Sequence, residues 1–213
     1  KTCSDLAAQF MDPDVLDVFL HHGMFTVGNY FYNGIGHVCV DYGKVLAIGY
    51  EGFIREAKEK LSALCLTDGS YIRKKQFLEA VIESCEAVIG YAHRYAALAK
   101  KEADACTDPV RKEELLHIAE NCTQVPAKGA RNFWEACQSF WFIQQLLQCE
   151  SSGHSISPGR FDQYMYPYFK ADLDAGRITH EAAQELLDCI WVKFNDLNKV
   201  RDAASAEGFA GYS

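Results

Sequence analysis

A predominantly α-helical fold with a few short extended pieces is what this sequence predicts. Three observations carry the expectation. Apolar residues recur at helical spacing over most of the chain, Asp-Pro pairs and glycines punctuate the starts and stops, and two stretches, 24–40 and 151–158, are loop-like in composition. With 213 residues, 49% of them hydrophobic, there is material for one good-sized core or two small ones.

Taken in order, Asp12-Pro13 reads as N-cap and first helical position, with Gly23 closing the segment. Met24 to Val40 mixes Gly28, Asn29, Asn33, Gly34 and Gly36 with aromatics and reads as an ordered loop with a short extended piece. Asp41 then caps a helix whose Leu46, Tyr50, Phe53, Ile54, Ala57 and Leu61 share one face. A long helix is expected from about Tyr71 to Ala103, burying Phe77, Val81, Val88, Ala92 and Tyr95. Asp108-Pro109 opens another that ends near Asn121, before Pro126 and Gly129. From Asn132 to Gln148 the chain is apolar on most sides, as expected of a helix covered from more than one direction. A further helix runs to about Asp174 and stops at Gly176. Thr179 caps the last, whose stripe is Ala183, Leu187, Ile190, Trp191, Phe194 and Leu197. No repeat, low-complexity segment or internal linker is visible, so one helical domain, or part of one, is expected.

A net charge of −8 argues against nucleic acid as a partner, since the Lys and Arg residues are scattered rather than gathered on a face. Runs such as Arg73-Lys74-Lys75 and Lys100-Lys101 read as solvated helix surface. No apolar run approaches the ~20 residues that a bilayer span needs. The nine cysteines show no Cys-x-x-Cys spacing of the zinc-site kind. Cys85, Cys137 and Cys189 fall on apolar helical faces, where a reduced thiol acts as a small hydrophobe, and a reducing cytoplasm is the expected setting. The opening Lys1-Thr-Cys-Ser-Asp and the ending Gly208-Phe-Ala-Gly-Tyr-Ser213 read as cuts through something longer.

The two non-helical stretches hold the candidate chemistry. His37, in Gly34-Ile-Gly-His37, is a natural proton donor near neutral pH. The competing reading is a loop histidine bonded to a carbonyl, and local sequence alone favours it. His154-Ser155 arrives among Ser151, Ser152 and Ser157, either as a polar pocket wall or as a turn held by hydroxyl-to-backbone bonds. Arg160 and Asp162 read as a clamp for an anion or, more simply, as a pair at a helix start. A metal site from His37, Cys39 and His154 is disfavoured because no ligands sit at short spacing. His21-His22 is accounted for by a helix C-terminus. A Ser-His-Asp hydrolase lacks its Gly-x-Ser-x-Gly elbow.

Four segments taken together resemble the glycyl radical enzymes, the pyruvate formate-lyase-like superfamily. They are Gly28-Asn-Tyr-Phe-Tyr-Asn-Gly-Ile-Gly-His37, Asp41-Tyr-Gly-Lys-Val-Leu-Ala-Ile-Gly49, Ser152-Gly-His-Ser-Ile-Ser-Pro-Gly-Arg-Phe-Asp-Gln-Tyr-Met-Tyr-Pro167 and the Lys199-Val-Arg-Asp202 region. Within the superfamily the likeness is to the B12-independent glycerol and 1,2-propanediol dehydratases. It implies a ten-stranded α/β barrel of two antiparallel half-barrels wrapped by helices. Residues 1–213 would be a portion of the pyruvate formate-lyase domain, without the catalytic-cysteine loop or the glycyl radical domain. Neither a Gly-Cys-Val-Glu loop nor an Arg-Val-x-Gly-Tyr motif occurs here.

The resemblance implies a lyase that eliminates water from a small polyol, glycerol or 1,2-propanediol, to give an aldehyde. The isolated piece is expected to be inactive. By motif position, His37 resembles the residue that protonates the departing hydroxyl, while Asn29, His154, Ser155 and Tyr212 resemble residues that hydrogen-bond the diol. No cofactor is expected in this chain and no metal ligands. The family's protein glycyl radical is installed by a radical SAM activating enzyme with a 4Fe–4S cluster. The implied partners are that enzyme, the polyol, the rest of the parent chain and a second copy in a homodimer. Within the family the alternative is a formate C-acetyltransferase or a C–N or C–S lyase. Outside it, the alternative is a catalytically silent helical interaction module.

Overall fold

The computed structural model describes residues 9–20, 36–150 and 155–197. The expected stop at Gly23, the His21-His22 pair and most of the 24–40 loop lie outside them. In chain order the elements are α1 Pro13–Leu20, β1 Val38–Cys39, α2 Tyr42–Ser62, α3 Tyr71–Ala105, α4 Pro109–Gln124, α5 Phe133–Glu150, β2 Ile156–Ser157, α6 Phe161–Asp174 and α7 His180–Asn195. Helices dominate, as the periodicity predicts. The strands are two residues each and pair in parallel.

The residues gather into two compact units. One comprises Asp41–Ile143 and Arg160–Asp188, the other Lys1–Val40, Gln144–Gly159 and Cys189–Ser213. Two of the boundaries fall inside α5 and α7, where composition does not change, so no linker marks them in the sequence.

In the first unit, side-chain oxygens close the helix starts where the sequence places them. Asp41 Oδ1 accepts the Lys44 N–H at 3.1 Å, and Asp108 Oδ1 accepts the Val110 N–H at 2.9 Å with Pro109 at the first turn. The start of α5 is doubly closed. Asn132 Oδ1 accepts from Glu135 N–H at 2.8 Å, and Asp172 Oδ2, from α6, accepts from Phe133 N–H at 2.7 Å. Asp172 is 4% exposed and also accepts from Arg177 Nε at 2.8 Å, so one buried carboxylate ties two helices and the turn after α6 together.

The long helix α3 corrects the expected stripe. Of the five residues assigned to its buried face only Ala92 is buried, while Phe77 is 67% exposed and Tyr95 43% exposed. The buried set is Cys85, Ala92, Ala96, Ala99 and Ala103. These steps of seven, four, three and four residues mark one helical seam of small side chains. Small residues let α2 and α4 approach closely, whereas the aromatics lie off that seam. A cluster of Ala92, Ala96, Cys122 and Phe142, flanked by Tyr91 and Ile118, fills the contact.

Helix α2 is broken at Gly49, whose φ of 63° and ψ of 178° leave the helical region. The segment after α4 enters the break. Pro126 O and Ala127 O accept the N–H groups of Tyr50 and Glu51 at 2.9 and 2.8 Å, and Ala130 N–H donates to Leu46 O at 2.8 Å. A side chain on Gly49 would collide with the backbone of Ala127 and Lys128, so glycine is required by both space and conformation.

Helix α5 is apolar on most sides, as expected, with Phe133, Phe140, Phe142 and Ile143 buried. Tyr42 and Phe161 contact the Phe140 ring at centroid distances of 5.0 Å each, which joins α2, α5 and α6 through aromatic packing. Glu135 is fully buried on the same helix and accepts from Arg131 N–H and Nε at 2.7 and 2.9 Å. On α7, Ala183 and Ile190 are buried, but Trp191 is 62% exposed and Cys189 is exposed, so both leave the expected apolar face. Among the described residues no helix is long and apolar enough to cross a membrane.

Candidate functional site

The strand pair belongs to the second unit and carries two of the sequence-nominated residues. Val38 pairs with Ile156 and Cys39 with Ser157. One residue upstream on each strand stand His37 and Ser155, which the register therefore places at equivalent ends of neighbouring strands. Both are exposed in this chain. Both also adopt left-handed backbone, with φ of 55° and 53°, and they are the only non-glycine residues to do so among the described residues. That conformation costs a non-glycine residue about 1–2 kcal/mol, so the surrounding structure must hold it. Asn29, His154 and Tyr212 lie outside the described residues.

Three contacts hold the strand ends. Ser157 Oγ accepts from Gly159 N–H at 3.1 Å, closing a tight turn after β2. Gly159 has φ of 63°, and a side chain there would run into Cys39 Sγ, so the turn folds directly onto β1. The third contact comes from α5. Gln144, 1% exposed, donates from Nε2 to Ile156 O at 2.9 Å. One turn later Gln148 is 8% exposed, and its Oε1 has no hydrogen-bond partner among the described residues.

Sequence reading misses both glutamines, because the large apolar residues on most sides of α5 draw the eye to its core role. Two glutamines four apart on an otherwise apolar helix are the signal that was available, since burying an amide carries a cost that an apolar residue would not. Arg160 and Asp162, at the start of α6 in the other unit, pair with each other at 3.5 Å and are both exposed. This is the simpler of the two readings offered for them.

Chemically, the strand ends offer an imidazole and a hydroxyl. An imidazole can deliver or take a proton near neutral pH, and a hydroxyl can both donate to and accept from an alcohol. No group of three or more His, Cys, Asp or Glu residues among the described residues is arranged to hold a metal ion. The buried thiols are of the inert kind. Burial pushes Cys137 up to about 12 and Cys122 up to about 11.

The pyruvate formate lyase-like family model matches residues 1–213. A solved structure concerned with 1,2-propanediol dehydration in Roseburia inulinivorans is 59% identical, with a TM-score of 0.89 over all of this chain and 25% of its own. The glycerol-bound form of the B12-independent glycerol dehydratase from Clostridium butyricum is 53% identical, with a TM-score of 0.86 over all of this chain and 27% of its own. The isethionate sulfite-lyase of Desulfovibrio desulfuricans is 49% identical over 71% of this chain and 18% of that protein. The chain thus spans about a quarter or less of the length of the relatives it matches. With the family match running its full length and two solved relatives superposing on all of it, the chain belongs to the pyruvate formate-lyase-like family of glycyl radical enzymes.

Proposed function

We propose that this chain supplies the substrate-side residues of a glycyl radical dehydratase that removes water from a small polyol, glycerol or 1,2-propanediol, and leaves an aldehyde. The observation that carries the reading is the placement of His37 beside Ser155 at the matched ends of β1 and β2, both in a backbone conformation that must be held. Two solved relatives, one concerned with 1,2-propanediol dehydration and one a glycerol-bound glycerol dehydratase, support that substrate class.

In this reading His37 delivers a proton to the departing hydroxyl, so that the group leaves as water rather than hydroxide. Ser155, with Asn29, His154 and Tyr212, orients the diol through neutral and imidazole donors. The family's glycyl radical supplies hydrogen-atom transfer. The residues of this chain are given no part in that task, because neither radical-bearing motif is present in them. No step of hydrogen transfer is therefore assigned to them. The reading also makes the parent polypeptide a cytoplasmic, anaerobic homodimer activated by a radical SAM partner.

Carbon–sulfur cleavage is the second reading, favoured by the isethionate sulfite-lyase relative. A sulfonate is an anion and calls for a cationic partner. The nominated pocket residues are neutral apart from the imidazoles, which favours the polyol.

The deciding experiment activates the complete polypeptide anaerobically with its radical SAM partner and offers glycerol, 1,2-propanediol and isethionate in parallel. Aldehyde from a diol supports the proposal. Sulfite from isethionate, with no aldehyde from either diol, replaces it by the second reading. No turnover of any of the three, in a protein shown to hold its radical, favours another member chemistry or a silent module.

A further inference from the structure

We propose that Gln144 is a positioning residue for the His37–Ser155 pair, acting through the Ile156 carbonyl. The inference rests on the reading of that pair as the polyol site. Gln144 has no exposed surface to serve, at 1% exposure, and it sits on a helix whose neighbouring positions Phe140 and Ile143 are buried hydrophobics. An apolar residue would fill such a position without the cost of burying an amide. Among what the amide gains is the 2.9 Å bond to Ile156 O.

That bond matters because the strand pair is too short to hold itself. Only two residue pairs form the ladder, yet the residue preceding each strand is in left-handed backbone. Ile156 directly follows Ser155. Its side chain is buried, at 5% exposure, and its carbonyl is held from α5, so the peptide after Ser155 is fixed relative to a helix. Through the parallel register the same grip extends to Val38, and so to the residue before it, His37. Losing it removes one of the contacts that hold these strand ends and loosens both residues toward ordinary backbone. A displacement of about 1 Å at a reacting group costs about a hundredfold in rate.

The test uses the complete polypeptide with two substitutions, Gln144→Glu and Gln144→Met. Both keep the length of the side chain. Methionine has no donor, whereas glutamate has one only when protonated. Burial raises the pKa of a carboxyl, so the glutamate is a donor at the acid end of the pH range and loses that role as pH rises. The expected result is a Met variant with kcat/KM lowered about ten- to a hundredfold at every pH. The Glu variant should approach the parent at low pH and fall to the Met level as pH rises. Radical content should stay at the parental value, and the melting temperature should drop by no more than the few degrees that one lost buried hydrogen bond costs. Hydrogen–deuterium exchange in the unactivated protein should quicken across residues 155–159 in the Met variant, a readout that needs no turnover.

If the parent converts no polyol, the proposed function fails, while the exchange result still decides the role of Gln144. Variants within about twofold of the parent in both readouts overturn the positioning role. So does a loss of activity in both that is indifferent to pH and accompanied by a melting temperature lowered by about 10 °C or more, or failure of both to fold, because either outcome assigns the residue to packing.

Discussion

His37 and Ser155 lie 118 positions apart in the sequence and hold the same place on paired strands, each one residue upstream of a parallel ladder and each with φ near 54°. Matched strain at the two ends is hard to assign to loop geometry alone. A turn that merely needed left-handed backbone would be served by glycine, as at Gly159 beside it. Retaining a side chain at such a cost is the pattern of a functional position.

This relationship makes a prediction about Ser155→Gly. Glycine relieves the left-handed backbone but makes the unfolded chain more flexible, so the net change should range from nothing to about 1 kcal/mol of added stability. Loss of the hydroxyl should at the same time weaken diol binding about tenfold, as expected for a lost hydrogen bond to a neutral partner. Urea midpoints and the KM for the polyol measure the two effects separately. A destabilised variant with unchanged KM would return Ser155 to the role of a turn serine.

His37→Gln addresses the proton. Glutamine keeps the polarity and most of the volume but cannot deliver a proton at neutral pH. Turnover in the complete enzyme should drop by roughly 10²–10⁴-fold, the usual contribution of a general acid. Exchange of deuterium at C1 of the substrate should continue, because hydrogen transfer is assigned to residues outside this chain. Near-normal turnover would leave His37 as an orienting group or a structural loop residue.

Much of the helical layout was legible because it rests on local chemistry. Asp41, Asp108 and Thr179 each put an oxygen at a helix start, and a capping oxygen announces itself in sequence. The face of α3 was not legible in the same way. Phe77 and Tyr95 carry more hydrophobic weight than Ala96 or Ala99, but close helix approach selects for small size, and size preference depends on which neighbour arrives. The strand pairing was invisible too, since no local signal connects Val38 to Ile156. The resemblance to a known family is what joined the loops that hold His37 and Ser155, while Gln144, which holds β2, was hidden by its apolar surroundings.

Gly49→Ala tests the break in α2. In an ordinary helix the change would stabilise, because alanine is the better helix former by about 1 kcal/mol. Here it forces an L residue into positive φ and pushes a methyl into the Ala127–Lys128 backbone. The combined cost should reach about 2–4 kcal/mol, from backbone strain plus overpacking. Chemical denaturation measures it. Gly90 supplies the control, since it lies in the interior of α3 with open space around its Cβ position, and Gly90→Ala there should stabilise slightly. Equal responses at the two positions would mean that Gly49 is not under the constraint described.

The last prediction concerns alkaline stability and follows from Cys137. Burial raises its thiol to about 12, against an ordinary value near 9. The folded state therefore keeps a proton that the unfolded chain releases. The contribution is complete below the unfolded pKa and is lost as pH rises from there toward the folded value. By pH 10 the loss from this one group should be about 1–2 kcal/mol, at 1.36 kcal/mol per pH unit once the unfolded thiol ionises. Cys137→Ala removes that titration. It leaves a small cavity, which lowers stability at every pH by a roughly constant amount. The difference between parent and variant should consequently shrink between pH 8 and pH 10. Cys122, raised to about 11 by burial, and Tyr168, also raised by burial, continue to titrate in both proteins and cancel in the comparison. Thiol labelling gives a second check. Cys65 is exposed, and its bond to Thr67 holds its thiol below the ordinary value, so it should react within the dead time of a slow assay. Cys137 should react only at the rate at which the protein opens. Labelling of Cys137 as fast as Cys65 would show that the α5 face is not closed in solution.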